Sequence, residues 1–340
     1  VHPPTRLPII MLTGRDARDD VVEALRRGAN DYITKPLDMA VVIARLRTQL
    51  SLKSAVDQIV GLERDLERKN AELERANDDL RAAYRRMKSD LQAAARVQRS
   101  LLPSSPPPAP GLTFAWRYHP CQELAGDSLN VFTLDDEHIG CYLLDVTGHG
   151  VPAALLSVTI TKLLMPVPDQ PSLVRRREPS GRLAAVSPRV VAEELNARFQ
   201  LDPETCRFFT LFYGLLNTRT REVRYVCAGQ SGPVLARAGE VRNLNQPEIA
   251  IGVVPDPGYH ERRLQLMPGD RLYVYSDGID EARDARRTLF GEQRAMRVIR
   301  ECRDQSLDAS LDRLVHAAEQ WAAAALDDDV SALALELLRD

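Results

Sequence analysis

The sequence is notable first for what it lacks. Its five cysteines, at 121, 141, 206, 227 and 302, are scattered and never spaced C-x-x-C. That pattern excludes a disulfide framework and a cysteine-rich structural zinc site, and reads as reduced thiols in a cytoplasmic protein. No Cys-x5-Arg segment exists to support a cysteinyl-phosphate intermediate. No apolar run approaches the roughly 20 residues that span a bilayer, and no charged start leads into an apolar stretch, so neither membrane span nor signal peptide is expected. Charge of one sign is missing too: 45 Lys and Arg stand against 48 Asp and Glu, a net charge of -3. Such a chain has no broad cationic field for nucleic acid or an anionic membrane, and no basic helix-turn-helix that would make it a DNA-binding regulator.

At 340 residues the chain has room for roughly two domains, at about 150 residues each. Leu7 to Thr13 (LPIIMLT) is a continuous apolar run with the pattern of a strand buried on both faces. An amphipathic helix follows from Asp19 to Gly28, then a strand at Asp31 to Thr34, then Lys35-Pro36 and a further helix near Asp38. This β-α-β-α order is that of half a doubly wound α/β domain, residues 1–50. The chain begins at Val1, inside that pattern, and is expected to be a fragment.

Between 52 and 98 glycine and proline vanish except for Gly61. Apolar residues recur every seven positions at Leu52, Ile59, Leu66, Leu73, Leu80, Met87 and Ala94, which take heptad position d. Asn70 and Asn77 then occupy successive a positions. Buried asparagines satisfy each other only in register, so the pattern predicts a parallel two-stranded coiled coil over 52–98, in a linker helix assigned to 51–102. Pro103 to Gly111 (PSSPPPAPG) cannot be helical and reads as a stiff linker into a domain at 112–340.

That last domain alternates strand-like runs at Leu112 to Tyr118, Val131 to Leu134, His138 to Leu144, Phe208 to Leu216, Glu222 to Ala228, Arg271 to Tyr275 and Ser331 to Leu337 with helices near Pro152 to Leu164, Pro188 to Phe199 and Leu307 to Ala325. Hairpin-like pairing with few crossovers predicts mainly antiparallel sheets flanked by helices. Met165 to Val186, polar and carrying Arg175-Arg176-Arg177, reads as a long functional or mobile loop. Four acidic motifs abut strands: Gly126-Asp127; Asp145 in Asp-Val-Thr-Gly-His-Gly; Asp277 in Tyr-Ser-Asp-Gly; and Asp327-Asp328-Asp329. Each alone could be an ordinary turn. Together, carboxylates beside glycines form the donor set that magnesium or manganese requires.

With ARVQRSLLP (Ala95 to Pro103), AGD (Ala125 to Asp127), DVTGHGVPAAL (Asp145 to Leu155), GDRLYVYSDGIDEAR (Gly269 to Arg283), LFGEQ (Leu289 to Gln293) and DDVSAL (Asp328 to Leu333), the chain resembles the protein phosphatase 2C-like (PPM) serine/threonine phosphatases, in their bacterial SpoIIE-like branch. The resemblance implies an α-β-β-α sandwich holding two or more Mn²⁺ or Mg²⁺ ions. Asp127 and Asp145 would bridge two of them around the water nucleophile, and the Val146 carbonyl would add a ligand. Asp277 and Asp328 would complete the coordination of the second cation, with Asp329 an alternative to Asp328. The implied substrate is a phosphorylated protein, such as an anti-sigma-factor antagonist. A catalytically weak module that only binds such a partner is the alternative. Ala125, Ser128-Leu129-Asn130 and Gln230 depart from that family's pattern, and His149 is read as a loop residue. The first fifty residues resemble the second half of a response-regulator receiver domain: Thr13 matches its switch hydroxyl, Tyr32 its switch aromatic, and Lys35-Pro36 its lysine and cis-proline. That resemblance implies an upstream histidine kinase, and it puts the phospho-accepting aspartate before Val1.

Overall fold

The computed structural model describes residues 7–14, 18–168, 170–201, 207–244, 246, 248–322 and 326–339, the side chains of 18–20 excepted. Cys206 and the 323–325 end of the expected last helix lie outside the described residues. Chain contacts divide the protein into two compact units, Val1–Met87 and Lys88–Asp340.

The smaller unit runs β1 (Ile10–Thr13), α1 (Arg18–Arg26), β2 (Asp31–Thr34) and the start of α2 (Met39–Arg99). β1 and β2 pair in parallel, Thr13 opposite Thr34, which is the β-α-β arrangement the sequence predicts. The Lys35-Pro36 peptide is cis. The expected burial of β1 on both faces is not found. Met11 and Leu12 are exposed, because among the described residues β2 alone pairs with this strand. The helix expected near Asp38 and the expected linker helix are one element, since no residue between 39 and 99 breaks the ladder. Gly61 weakens a helix by only about 1 kcal/mol. The d-position side chains from Leu52 to Met87 are exposed along α2.

The larger unit takes in the last turns of α2 and continues with β3 (Leu112–His119), β4 (Ser128–Thr133), β5 (His138–Val146), α3 (Val151–Leu164), β6 (Arg175–Arg177), β7 (Leu183–Ala185), α4 (Pro188–Arg198), β8 (Phe209–Asn217) and β9 (Glu222–Ala228). Then come β10 (Val234–Arg237), β11 (Glu240–Asn243), β12 (Arg262–Gln265), β13 (Arg271–Tyr275), α5 (Asp277–Asp280), α6 (Glu292–Glu301), α7 (Leu307–Trp321) and β14 (Val330–Leu337). Two five-stranded antiparallel sheets form, in the orders β11-β10-β13-β14-β3 and β12-β9-β8-β5-β4.

Strand alternation explains why these sheets stack. In β5, Ile139, Cys141 and Leu143 enter the core between the sheets, while Tyr142, Leu144 and Val146 face the opposite way, into a second core built with α3 and α4. In β14, Leu333, Leu335 and Leu337 point inward. Ala332 and Ala334 point outward, where their small side chains form a third core with α6 and α7. The result is the α-β-β-α layering the sequence predicts. Ser187 and Ser306 cap α4 and α7 by accepting from the N–H groups of Val190 and Ala309.

Within the proline-rich run at 103–111, read as a stiff linker, Ala109 packs on the inter-sheet core and Arg221 donates to the Pro110 carbonyl. The larger unit begins inside α2, because Leu91, Ala95 and Gln98 share one helical face that packs on it. The expected long loop at 165–186 carries the β6–β7 hairpin and is anchored by buried Leu173, Val174 and Val186. No helix among the described residues is long and apolar enough to cross a membrane.

Leu143 is fully buried where the two sheets meet. Leu143→Ala is expected to destabilise the larger unit by about 2–5 kcal/mol, the usual cost of such a cavity. Urea denaturation measures it, and a loss under about 1 kcal/mol would contradict a tightly closed inter-sheet core.

Candidate metal centre

The acidic residues singled out in the sequence converge at one end of the sandwich, each delivered by a strand end or an adjoining turn. Asp127 precedes β4 and is 1% exposed. Asp145 is the penultimate residue of β5, held opposite Thr210 of β8. Asp277 opens α5 directly after β13, and Asp328 and Asp329 lead into β14. Asp328 is the open member of the set, whereas Asp329 is 4% exposed.

Close backbone approach lets these segments meet. A Cβ on Gly126 would stand 2.7 Å from the carbonyl oxygen of Val146, so only glycine fits there. Gly278 is in the same position against the Asp329 carbonyl.

The electrostatics record the crowding. Burial and the charge of Asp145 hold the Asp127 carboxyl well above its ordinary range. Burial, then the charges of Asp277, Asp328 and Asp329, push Asp145 up to about 7. Burial, then Asp328 and Glu281, push Asp277 up to about 6. Asp328 is also raised, chiefly by burial, with Asp329 and Glu281 adding to it. Asp127 Oδ2 is buried without a hydrogen-bond partner. A buried carboxylate oxygen that lacks a donor, amid carboxylates that repel one another, fits a hard divalent cation. Cys121 Sγ and carboxylate oxygens of Asp328 and Asp329 lie within 4.8 Å of one another. Burial and the charge of Asp329 push that thiol up to about 12.

Around this centre lie residues that motif reading missed or left open. Glu281 acts on both Asp277 and Asp328. Its spacing of four from Asp277 was the available signal, since such residues share a helix face. Gln98, near the end of α2, donates from Nε2 to the Ala125 carbonyl at 2.7 Å and accepts at Oε1 from the Ala125 N–H at 3.2 Å. Both contacts fall on the residue before Gly126. The departures from the family pattern have structural roles. Asn130 donates to the Leu101 carbonyl. Buried Gln230 accepts from Thr210 Oγ1 and donates to the Tyr275 carbonyl, tying β8 to β13 beneath the aspartates. His149 lies in the exposed loop before α3, its Nδ1 3.2 Å from Gln122 Nε2. In the smaller unit, the Lys35 N–H donates to the Thr13 carbonyl at 2.8 Å, and Arg45 stacks over the Tyr32 ring.

Comparison with known proteins identifies the family and the fold. Residues 135–338 match the family model of stage II sporulation protein E (SpoIIE), and residues 2–47 match the response regulator receiver domain. Phosphoserine phosphatase RsbU of Bacillus subtilis is 26% identical over 206 residues, covering 60% of this chain and 57% of RsbU. Phosphoserine phosphatase RsbP of the same organism is 25% identical over 194 residues, covering 56% of this chain and 45% of RsbP. The chain thus spans about half the length of these curated relatives. Among solved structures, the SiaA-PP2C domain of Pseudomonas aeruginosa superposes with a TM-score of 0.62 over 76% of this chain and 99% of that domain. At 20% identity that likeness is one of fold, an α/β PP2C-like sandwich. On these grounds the chain belongs to the SpoIIE family and carries receiver-domain sequence at its N-terminal end.

Proposed function

We propose that the chain is a metal-dependent protein serine/threonine phosphatase, the output of a response regulator, acting on phosphoserine or phosphothreonine of a partner-switching protein of the anti-sigma-factor antagonist type. The observation that carries this reading is the convergence of Asp127, Asp145, Asp277 and Asp328, with Asp127 Oδ2 buried and unpartnered. The names of RsbU and RsbP, both phosphoserine phosphatases, support the reaction class.

Asp127 and Asp145 would hold two cations between them, with the Val146 carbonyl beside them and Asp277 and Asp328 on the second. When bound, Mn²⁺ or Mg²⁺ supplies a water acidic enough to attack phosphorus at neutral pH, and positive charge for the phosphoryl oxygens. The protein's part is to fix those carboxylates before substrate arrives, so that little reorganisation is needed during reaction. A covalent route through a cysteine is disfavoured, since the sequence has no Cys-x5-Arg segment to hold a cysteinyl phosphate.

The exposed heptad seam of α2 is read as a parallel homodimer contact over 52–98. Receiver phosphorylation by a histidine kinase would act through it on the ARVQRSLLP segment, whose Gln98 grips Ala125.

Three measurements follow from this reading. Mn²⁺-dependent phosphate release from a phosphorylated antagonist should be abolished by EDTA and lowered roughly 10²-fold or more in Asp145→Ala. Partner binding without release would favour the inactive binding module instead. In EDTA, Asp145 and Asp277 keep protons to about 7 and about 6, against an ordinary value of 3.8. The native state therefore binds more protons than the unfolded state through that window. Its stability is highest below about pH 4 with respect to these groups and is lost as pH rises toward about 7. Mn²⁺ should accordingly raise the Tm more at pH 8 than at pH 5, and a larger rise at pH 5 in scanning fluorimetry would contradict it. Finally, light scattering should find a dimer that Leu66→Glu with Leu73→Glu converts to monomer. A monomeric wild type would remove the seam from the scheme.

A further inference from the structure

Asp329 differs from the other acidic residues in what its carboxylate already does. Oδ1 accepts from the backbone N–H of Cys121 and Oδ2 from that of Gly126, each at 2.8 Å. These donors lie at the two ends of the segment 121–126, which belongs to no strand or helix and runs into Asp127. Buried N–H groups need a partner, and an ionised carboxylate makes the stronger kind of bond.

The rest of Asp329 is engaged with the other two acidic segments. Its carbonyl accepts from Ser276 Oγ at 3.3 Å and lies against Gly278, so it abuts both neighbours of Asp277. Its N–H donates to Asp328 Oδ1 at 2.8 Å, which fixes how that carboxylate is turned. One residue thus touches the segments bearing Asp127, Asp277 and Asp328. Gly126 is meanwhile confined on its other side by the Val146 carbonyl.

We infer that Asp329 is a positioning residue: its carboxylate clamps the N–H groups of Cys121 and Gly126 and thereby sets Asp127 in place, leaving cation ligation to Asp127, Asp145, Asp277 and Asp328. This rests on the reading of those four as cation ligands. Asparagine cannot fully replace the Asp329 carboxylate, because Nδ2 would meet an N–H donor where Oδ1 or Oδ2 now accepts.

The test compares Asp329→Asn with Asp328→Asn, using Mn²⁺ titration calorimetry and hydrogen exchange in EDTA. In Asp329→Asn the amides of Cys121 and Gly126 should exchange about tenfold faster or more without metal, as expected on losing a charge-assisted bond. Mn²⁺ should bind with unchanged stoichiometry and about 10–100-fold weaker affinity, the range found when partners of metal ligands are lost. Turnover should then recover at saturating Mn²⁺. Asp328→Asn should leave those amides protected and lose a bound ion. Unchanged exchange in Asp329→Asn together with lower stoichiometry would overturn the inference and make Asp329 a ligand. If the wild type bound no Mn²⁺, the metal reading would fall, while the exchange measurement would still decide whether the clamp exists.

Discussion

Gathering carboxylates in a buried place is opposed twice, by lost hydration and by mutual repulsion. The larger unit is arranged around that opposition. Its two sheets lock through inward rows such as Ile139, Cys141 and Leu143 against Leu333 and Leu335, and this stiff interior delivers Asp145, Asp277 and Asp328 from fixed strand ends. Where no strand can help, polar groups take over: Asp329 holds Cys121 and Gly126, Gln98 holds Ala125, and Gln230 joins β8 to β13. Glycines 126 and 278 remove the side chains that would otherwise keep the segments apart.

Legibility in the sequence followed the strength of the local pattern. β9 and β13 were readable residue for residue, because alternating or continuous apolar runs ended at clear breakers. The acidic motifs stood out for a related reason: Asp145 and Asp277 follow apolar runs, Asp127 and Asp277 adjoin glycines, and Asp327 to Asp329 lead into an apolar run. The β6–β7 hairpin was not readable, since Arg175 to Arg177 carries no apolar alternation and its anchors, Leu173, Val174 and Val186, lie outside the strands. α6 escaped because it is short and strongly charged, with only Ala295 and Ile299 buried.

A run of prolines says that a segment is neither helix nor strand, but it does not say whether the segment is free. Here Ala109 and Pro110 are engaged by the sandwich, and the change of unit falls within an unbroken helix. The visible signal was a change of face. Through Met87 the heptad stripe is exposed, whereas from Leu91 onward Ala95 and Gln98 turn into the larger unit and the d-position Ala94 stays outside. Glu281 was passed over for a different cause: it belongs to no acidic motif of its own, and its bearing on Asp277 and Asp328 depends on their proximity in the fold.

The Gln98 grip on Ala125 has the two-point form of a base pair, one bond given and one received by the same planar amide. Such a contact has a register. Turning the helix by one residue position sweeps a side chain through about 100°, which separates both bonds at once rather than stretching either. A turn of the end of α2 would therefore act on both bonds to the AGD segment together.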